Sequence, residues 1–134
     1  TGELIDKFNV QKLGQGRIKV DEHLRVEERV FAAGDVTHFL HEGKPLRMAV
    51  QFAISEGVIA AENVTNSIRG LPLRKYKPVE LGYIVPMANN RSCGIVFGKY
   101  VSGILATFLH YVMCVYRLPT LRNKVGLVMD ILFK

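Results

Sequence analysis

Asp35 is the residue whose setting most invites chemistry. It follows Val30-Phe31-Ala32-Ala33-Gly34, an apolar run closing in glycine, and precedes the polar stretch Thr37-His38-Phe39-Leu40-His41-Glu42-Gly43. A short apolar run of this kind is the signature of a buried parallel strand. Glycine at its end lets another backbone or a ligand approach closely. Open α/β sheets bind ligands beyond the carboxyl ends of their strands, where an acid accepts hydrogen bonds from sugar-type hydroxyls. Gly34 and Asp35 are therefore expected at the mouth of a cofactor site; a core strand closing in a plain Gly-Asp turn is the alternative. Asp35, His38 and His41 recur every three residues, but on a loop with no fourth ligand nearby they make no metal site. Cys93 and Cys114 are the two cysteines, with no Cys-x-x-Cys between them, which excludes a redox dithiol or a zinc knuckle. They read as reduced packing residues of an intracellular protein.

A helix is expected beside that strand. Between Leu46 and Arg69, Val50, Phe52-Ala53-Ile54, Val58, Ala60-Ala61, Val64 and Ile68 fall at three- and four-residue spacings. Pro45 marks its entry, and Gly70 with Pro72 its end. Ala49, Ala53, Gly57, Ala60 and Ala61 keep part of its surface small, open to a flat group or to another backbone. Its first turn carries N–H groups without helical partners and the positive end of the dipole, both favouring negative charge. Upstream, Gly14-Gln15-Gly16 lacks the third glycine of a dinucleotide fingerprint, position 19 being Lys19, and reads as a hairpin turn. Residues 17–21 then alternate like a half-buried strand, and Leu24 and Val26 extend the pattern.

Downstream, residues 81–87 and 93–98 read as a hairpin turning at Asn89-Asn90-Arg91-Ser92, with Pro86 favouring an edge. Residues 100–116 contain no Asp, Glu, Lys or Arg. As a helix this stretch would be roughly 25 Å long, short of a roughly 30 Å hydrocarbon core. Beyond Pro119 a second helical stretch lines up Leu121, Val125, Val128, Met129 and Leu132, with Arg117, Arg122, Lys124 and Lys134 set against Asp130. The pair is expected to lie in a membrane interface rather than to cross it, with Leu105, Phe108, Leu109, Val112, Leu121 and Val125 toward lipid. The alternative is a helical hairpin buried in a protein core or a dimer interface, with His110 as a packed histidine.

The chain has 134 residues, a hydrophobic fraction of 49% and a net charge of +6. That is near the modal size of one domain, and the charge suits an anionic partner. Nucleic acid is disfavoured, because the basic residues are not interleaved with stacking aromatics. The chain starts at Thr1 with no visible signal peptide, as a fragment or a processed chain would.

The same residues carry a resemblance. Ala33-Gly34-Asp35 after Val30-Phe31 resembles the second flavin fingerprint of the pyridine nucleotide-disulfide oxidoreductase superfamily, the two-dinucleotide-domain flavoproteins. The stretch from Gly16-Arg17-Ile18-Lys19-Val20-Asp21 to Asp35 resembles the return of that chain from the NAD-binding domain to the flavin. Residues 43–64, GKPLRMAVQFAISEGVIAAENV, are similar to a helix of type II NADH:quinone oxidoreductases. There an Ala-Gln-x-Ala-x-Gln-Gln motif faces the isoalloxazine and the quinone. Gln51 and Ala53 match the first Gln and the following Ala, whereas Val50 replaces the leading Ala and Ser55-Glu56 replace the Gln pair. The hairpin and YRLPTLRNKVGLVMDIL resemble that family's tail, which covers the flavin and forms a monotopic anchor.

The resemblance implies an α+β C-terminal fragment of an FAD/NAD(P)-binding flavoprotein. Residues 1–70 would close the FAD domain, 71–99 form a connector and hairpin, and 100–134 form amphipathic helices. It implies NADH as substrate, FAD as cofactor, a quinone as acceptor, and a cytoplasmic position on the inner face of the cell membrane. Gly34, Asp35, Val50, Gln51 and Ala53 would bind the cofactor, Asp35 through the ribityl chain, and Gln51 would also face the acceptor. No side chain is expected to transfer a proton. The chain lacks a Gly-x-Gly-x-x-Gly unit, so alone it is expected to be inactive. A strand–helix piece without its neighbouring parallel strands is also expected to form a homodimer, with exchanged elements as one route. Two other readings stay open: a flavoprotein with another acceptor (a sulfide:quinone or disulfide reductase using Cys93), and a non-catalytic module binding membranes through 100–134.

Overall fold

Glycine, proline and a few buried polar groups decide where this chain turns. The computed structural model describes residues 5, 7–87 and 91–133, a mixed α+β architecture in two compact units that divide between Val79 and Glu80. Leu4, the turn residues Asn89 and Asn90, the side chain of Leu132, and Lys134 lie outside the described residues.

In the first unit, β1 (Lys12–Leu13) and β2 (Arg17–Lys19) pair antiparallel around a 3-10 turn at Gly14–Gly16, the hairpin expected there. β2 also pairs with β5 (Thr37–His38), in parallel, with Ile18 opposite Thr37. Between them, β3 (Arg25–Glu27) and β4 (Val30–Phe31) form a separate antiparallel ribbon. β6 (Leu40–His41) and β7 (Lys44–Pro45) form another. The buried parallel strand expected over 30–34 is thus corrected. Only Val30 and Phe31 are in a strand, their partner runs antiparallel, and Val30 is 46% exposed. The physical cause is Gly34, whose φ of +83° bends the chain into a 3-10 turn at Gly34–Val36.

A second turn is held by Asp21, whose carboxylate accepts from the N–H groups of His23 (2.8 Å) and Arg25 (2.9 Å). That clasp fixes Leu24 at a positive φ and drops its side chain, with no exposed surface, into the core. Core partners are Val20, Phe39, Ile59, Ala60 and Tyr76, and the Phe39 and Tyr76 rings meet edge to face at 5.1 Å.

Helix α1 (Val50–Arg69) begins later than Pro45 suggested, because Pro45 belongs to β7 and Ala49 is still extended at φ −158°. It ends at Gly70, in the left-handed region, with the Leu71 N–H returning to the Asn66 carbonyl. Phe52, Glu56, Ile59, Ala60 and Asn63 are its buried members. Val50, Ile54, Val58, Val64 and Ile68, expected on an apolar stripe, are exposed. Asn63 is fully buried and binds the connector: its Nδ2 donates to the His23 and Arg74 carbonyls, and its Oδ1 accepts from the Arg74 N–H at 2.7 Å.

The second unit is a three-stranded antiparallel sheet followed by two helices. β8 (Gly82–Met87), β9 (Arg91–Val96) and β10 (Lys99–Ser102) lie in the order β10-β9-β8, which leaves Pro86 on an edge strand as expected. α2 spans Gly103–Arg117 and α3 Leu121–Leu132. The helix expected from Tyr100 therefore starts three residues later, because β10 takes residues 99–102. α2 packs on β9 through the fully buried Ala106, and Thr107 Oγ1 donates to Ser92 Oγ at 3.1 Å. Gly94 is required at the sheet centre, since a Cβ there would run into the Tyr83 carbonyl oxygen.

Candidate functional site

Asp35 stands exposed on the 3-10 turn between β4 and β5, and its neighbours hold that turn from both sides. From α1, Glu56 Oε2 accepts the Gly34 N–H at 2.7 Å and lies 3.0 Å from Thr37 Oγ1. The single Thr37 hydroxyl proton is shared with the Gly34 carbonyl, 2.9 Å away. From β2, Arg17 Nη1 donates to the Thr37 carbonyl (3.3 Å) and to the Leu46 carbonyl (3.0 Å). A buried acid and a buried base thus bracket four residues, Gly34 to Thr37.

Glu56 is 2% exposed, although against the family motif the position stands out only as a departure. Burial pushes its carboxyl above the ordinary glutamate range, against the lowering effect of the Gly34 N–H and the Thr37 hydroxyl. The charge of Asp35 adds to the rise and that of Arg17 opposes it. A signal was present in the sequence. Phe52, Glu56, Ile59 and Asn63 recur at four, three and four residues, so an acid and an amide share a stripe with apolar side chains.

Gly34 meets α1 closely. A Cβ on it would lie 3.5 Å from the Ala53 Cβ, while its positive φ already disfavours any side chain. Gly34, Asp35 and Ala53 line one small cavity together with Arg17, Ala49 and Glu56. Val50 and Gln51 occupy the first turn of α1 beside it, and the N-cap residue, Ala49, makes no side-chain cap. The cavity measures about 10 Å3, the space of about one water. The described residues therefore enclose no cofactor-sized pocket there. The chemistry of these residues fits a hydroxylated chain and a flat ring: an exposed carboxylate, small residues at closest approach and the positive end of a helix dipole.

The two side chains that stand where the resembling family has paired glutamines are turned inward. Ser55 Oγ lies 2.9 Å from Tyr76 Oη and also reaches the Gln51 carbonyl at 2.9 Å, and Glu56 is engaged as above. Burial raises the Tyr76 hydroxyl, Ser55 lowers it, and the nearby Glu56 charge raises it again.

In the second unit, Leu105, Phe108, Val112, Leu121 and Val125 are exposed, and Leu109 is half-buried. Ile104, Tyr116 and Phe133 add further exposed apolar surface, and Lys124 Nζ lies 6.0 Å from the centre of the Tyr116 ring. Among the described residues no helix is long and apolar enough to cross a membrane. Cys93 is half-buried on β9, and Cys114 Sγ lies 3.6 Å from His110 Nε2 within α2.

Known proteins extend this picture. No protein-family model matches the chain. It is similar to oxidoreductases over most of its length. A type II NADH:quinone oxidoreductase of Staphylococcus saprophyticus is 29% identical over 116 residues, 84% of this chain and 29% of the relative. A homologue from Staphylococcus aureus, with the same description, is 27% identical over the same extent. Ferroptosis suppressor protein 1 of Taeniopygia guttata is 31% identical over 102 residues, 75% of this chain and 26% of the relative. The chain thus spans under a third of the length of these curated relatives.

Proposed function

We propose that this chain is the C-terminal part of an FAD-dependent oxidoreductase that takes electrons from NADH and delivers them to a quinone. The supporting observation is the Gly34–Asp35 turn against the start of α1, in a chain similar to type II NADH:quinone oxidoreductases. FAD, when bound, supplies the acceptance of hydride from NADH and the onward release of electrons. The chain's own residues bind and orient. Asp35 accepts hydrogen bonds from the ribityl hydroxyls. Gly34 and Ala53 allow close approach, and Val50 and Gln51 present the first turn of α1, whose dipole favours negative charge at the pyrimidine end. The Gln51 side chain faces the acceptor. Because Ser55 and Glu56 are engaged within the chain, acceptor recognition on this helix falls to Gln51 rather than to a glutamine pair.

The whole protein works as a peripheral protein of the cytoplasmic face of the cell membrane, held through the exposed apolar residues of α2 and α3, and as a homodimer. In the reading where membrane binding is the sole function, those same residues carry it.

The deciding experiment takes the full-length protein as purified, records its visible spectrum, then follows bleaching by NADH and reoxidation by a soluble quinone. Wild type is expected to carry flavin that cycles, and Asp35→Ala to lose most of it. A colourless wild type would end the flavin reading.

A further inference from the structure

We propose that Glu56 is a positioning residue for the cofactor. Its buried carboxyl, by taking the Gly34 N–H and holding Thr37 Oγ1, keeps the Gly34–Val36 turn in the shape that presents Asp35. The inference rests on the flavin reading above and deepens it.

Three observations carry it. Gly34 sits at φ +83°, in a region glycine enters freely and leaves as freely, so the shape of the turn has to be imposed from outside. The imposed contacts come from two elements: Glu56 on α1 holds the N–H end, and Arg17 on β2 holds the carbonyl end. Finally, Glu56 shares its helix face with Phe52, Ile59 and Ala60, where an apolar side chain would bury more cheaply than an acid. What the acid adds at that place is acceptance of the turn's donors. The charged and titratable groups facing it are Arg17 from β2, Asp35 from the turn and Tyr76 from the connector. The carboxylate of Asp35 is left exposed, free to meet a ligand.

The test uses the full-length protein stripped of flavin and titrated with FAD, comparing wild type, Glu56→Gln, Glu56→Leu, Asp35→Ala and the Asp35→Ala/Glu56→Leu double variant. Loss of a hydrogen bond to a charged group predicts that Glu56→Leu weakens FAD binding about tenfold or more. Glu56→Gln keeps one oxygen for the Gly34 N–H and is expected to weaken it about two- to threefold. Because Glu56 acts through Asp35, Glu56→Leu in the Asp35→Ala background is expected to cost less than about twofold. Asn63→Ala, on the same helix but remote from the turn, controls for general destabilisation and is expected to leave FAD affinity within about twofold. Should Glu56→Leu fail to fold, Thr37→Val and Glu56→Gln carry the same comparison with Asp35→Ala. Equal losses in both backgrounds, or an equal loss in Asn63→Ala, overturn the proposal while leaving the flavin reading intact. A wild type that binds no FAD overturns both.

Discussion

At the residue scale, two carboxyls respond to their surroundings with opposite net sign. Burial raises both, but at Asp21 the N–H groups of Arg25 and His23 and the charge interactions with those two side chains outweigh it, and its value is lowered. Glu56 stays raised. A raised carboxyl means the folded state holds a proton that the unfolded state releases, so its contribution to stability falls as pH rises from the ordinary glutamate range through the raised value. Asp21 behaves in reverse: its contribution is present above the ordinary aspartate value and is lost as pH falls through the lowered one. Urea midpoints measured between about pH 4 and 8 should therefore show a stabilising component on mild acidification that disappears in Glu56→Gln. The same slope in both proteins would show that Glu56 titrates alike folded and unfolded. The turn that carries Asp35 is legible in the sequence because glycine followed by an acid after an apolar run is a local pattern. Glu56 is legible only as an acid on an apolar stripe; what it holds is not, because its partner is the backbone of a turn more than 20 residues away.

Elements were legible where local chemistry decides them. Gly70 ends α1 and Pro86 lies on an edge strand as read, since left-handed backbone and a missing N–H are local constraints. The misread strand at 30–34 shows the limit. Val30-Phe31-Ala32-Ala33 is apolar enough for a buried parallel strand, yet hydrogen bonding to Arg25 and the turn at Gly34 assign it to a short ribbon instead. Likewise, apolar periodicity marks residues 50–68 as a helix without saying which face is covered. Glu56 and Asn63 are buried while Ile54 and Val58 are not. Two substitutions test the elements. Asn63→Ala strands the Arg74 N–H and two carbonyls and is expected to destabilise the first unit by about 2–4 kcal/mol in urea unfolding. Gly94→Ala forces β8 and β9 apart and is expected to cost the second unit about 1–3 kcal/mol. Wild-type midpoints for either variant would mean that the backbone yields at that place.

For the whole molecule, the exposed apolar surface of α2 and α3 predicts attachment to lipid. Co-sedimentation with vesicles of phosphatidylcholine and phosphatidylglycerol should be strong for the chain and largely lost in Leu105→Ser/Phe108→Ser. Binding that survives this change, and disappears instead at high salt, would assign the attraction to the basic residues alone. The sequence made these apolar positions visible but left their partner open, because lipid and protein present equally apolar surfaces. The clasp of Glu56 on the turn also constrains evolutionary history. The Gly34 N–H belongs to the backbone and persists with any residue but proline at 34, whereas the Thr37 hydroxyl is a side chain that mutation can remove. Across descendants of a common ancestor, position 56 should therefore drift only among hydrogen-bond acceptors, while position 37 drifts more widely. An aligned collection with frequent Leu or Val at 56, in chains that keep Gly34 and Asp35, would contradict that asymmetry.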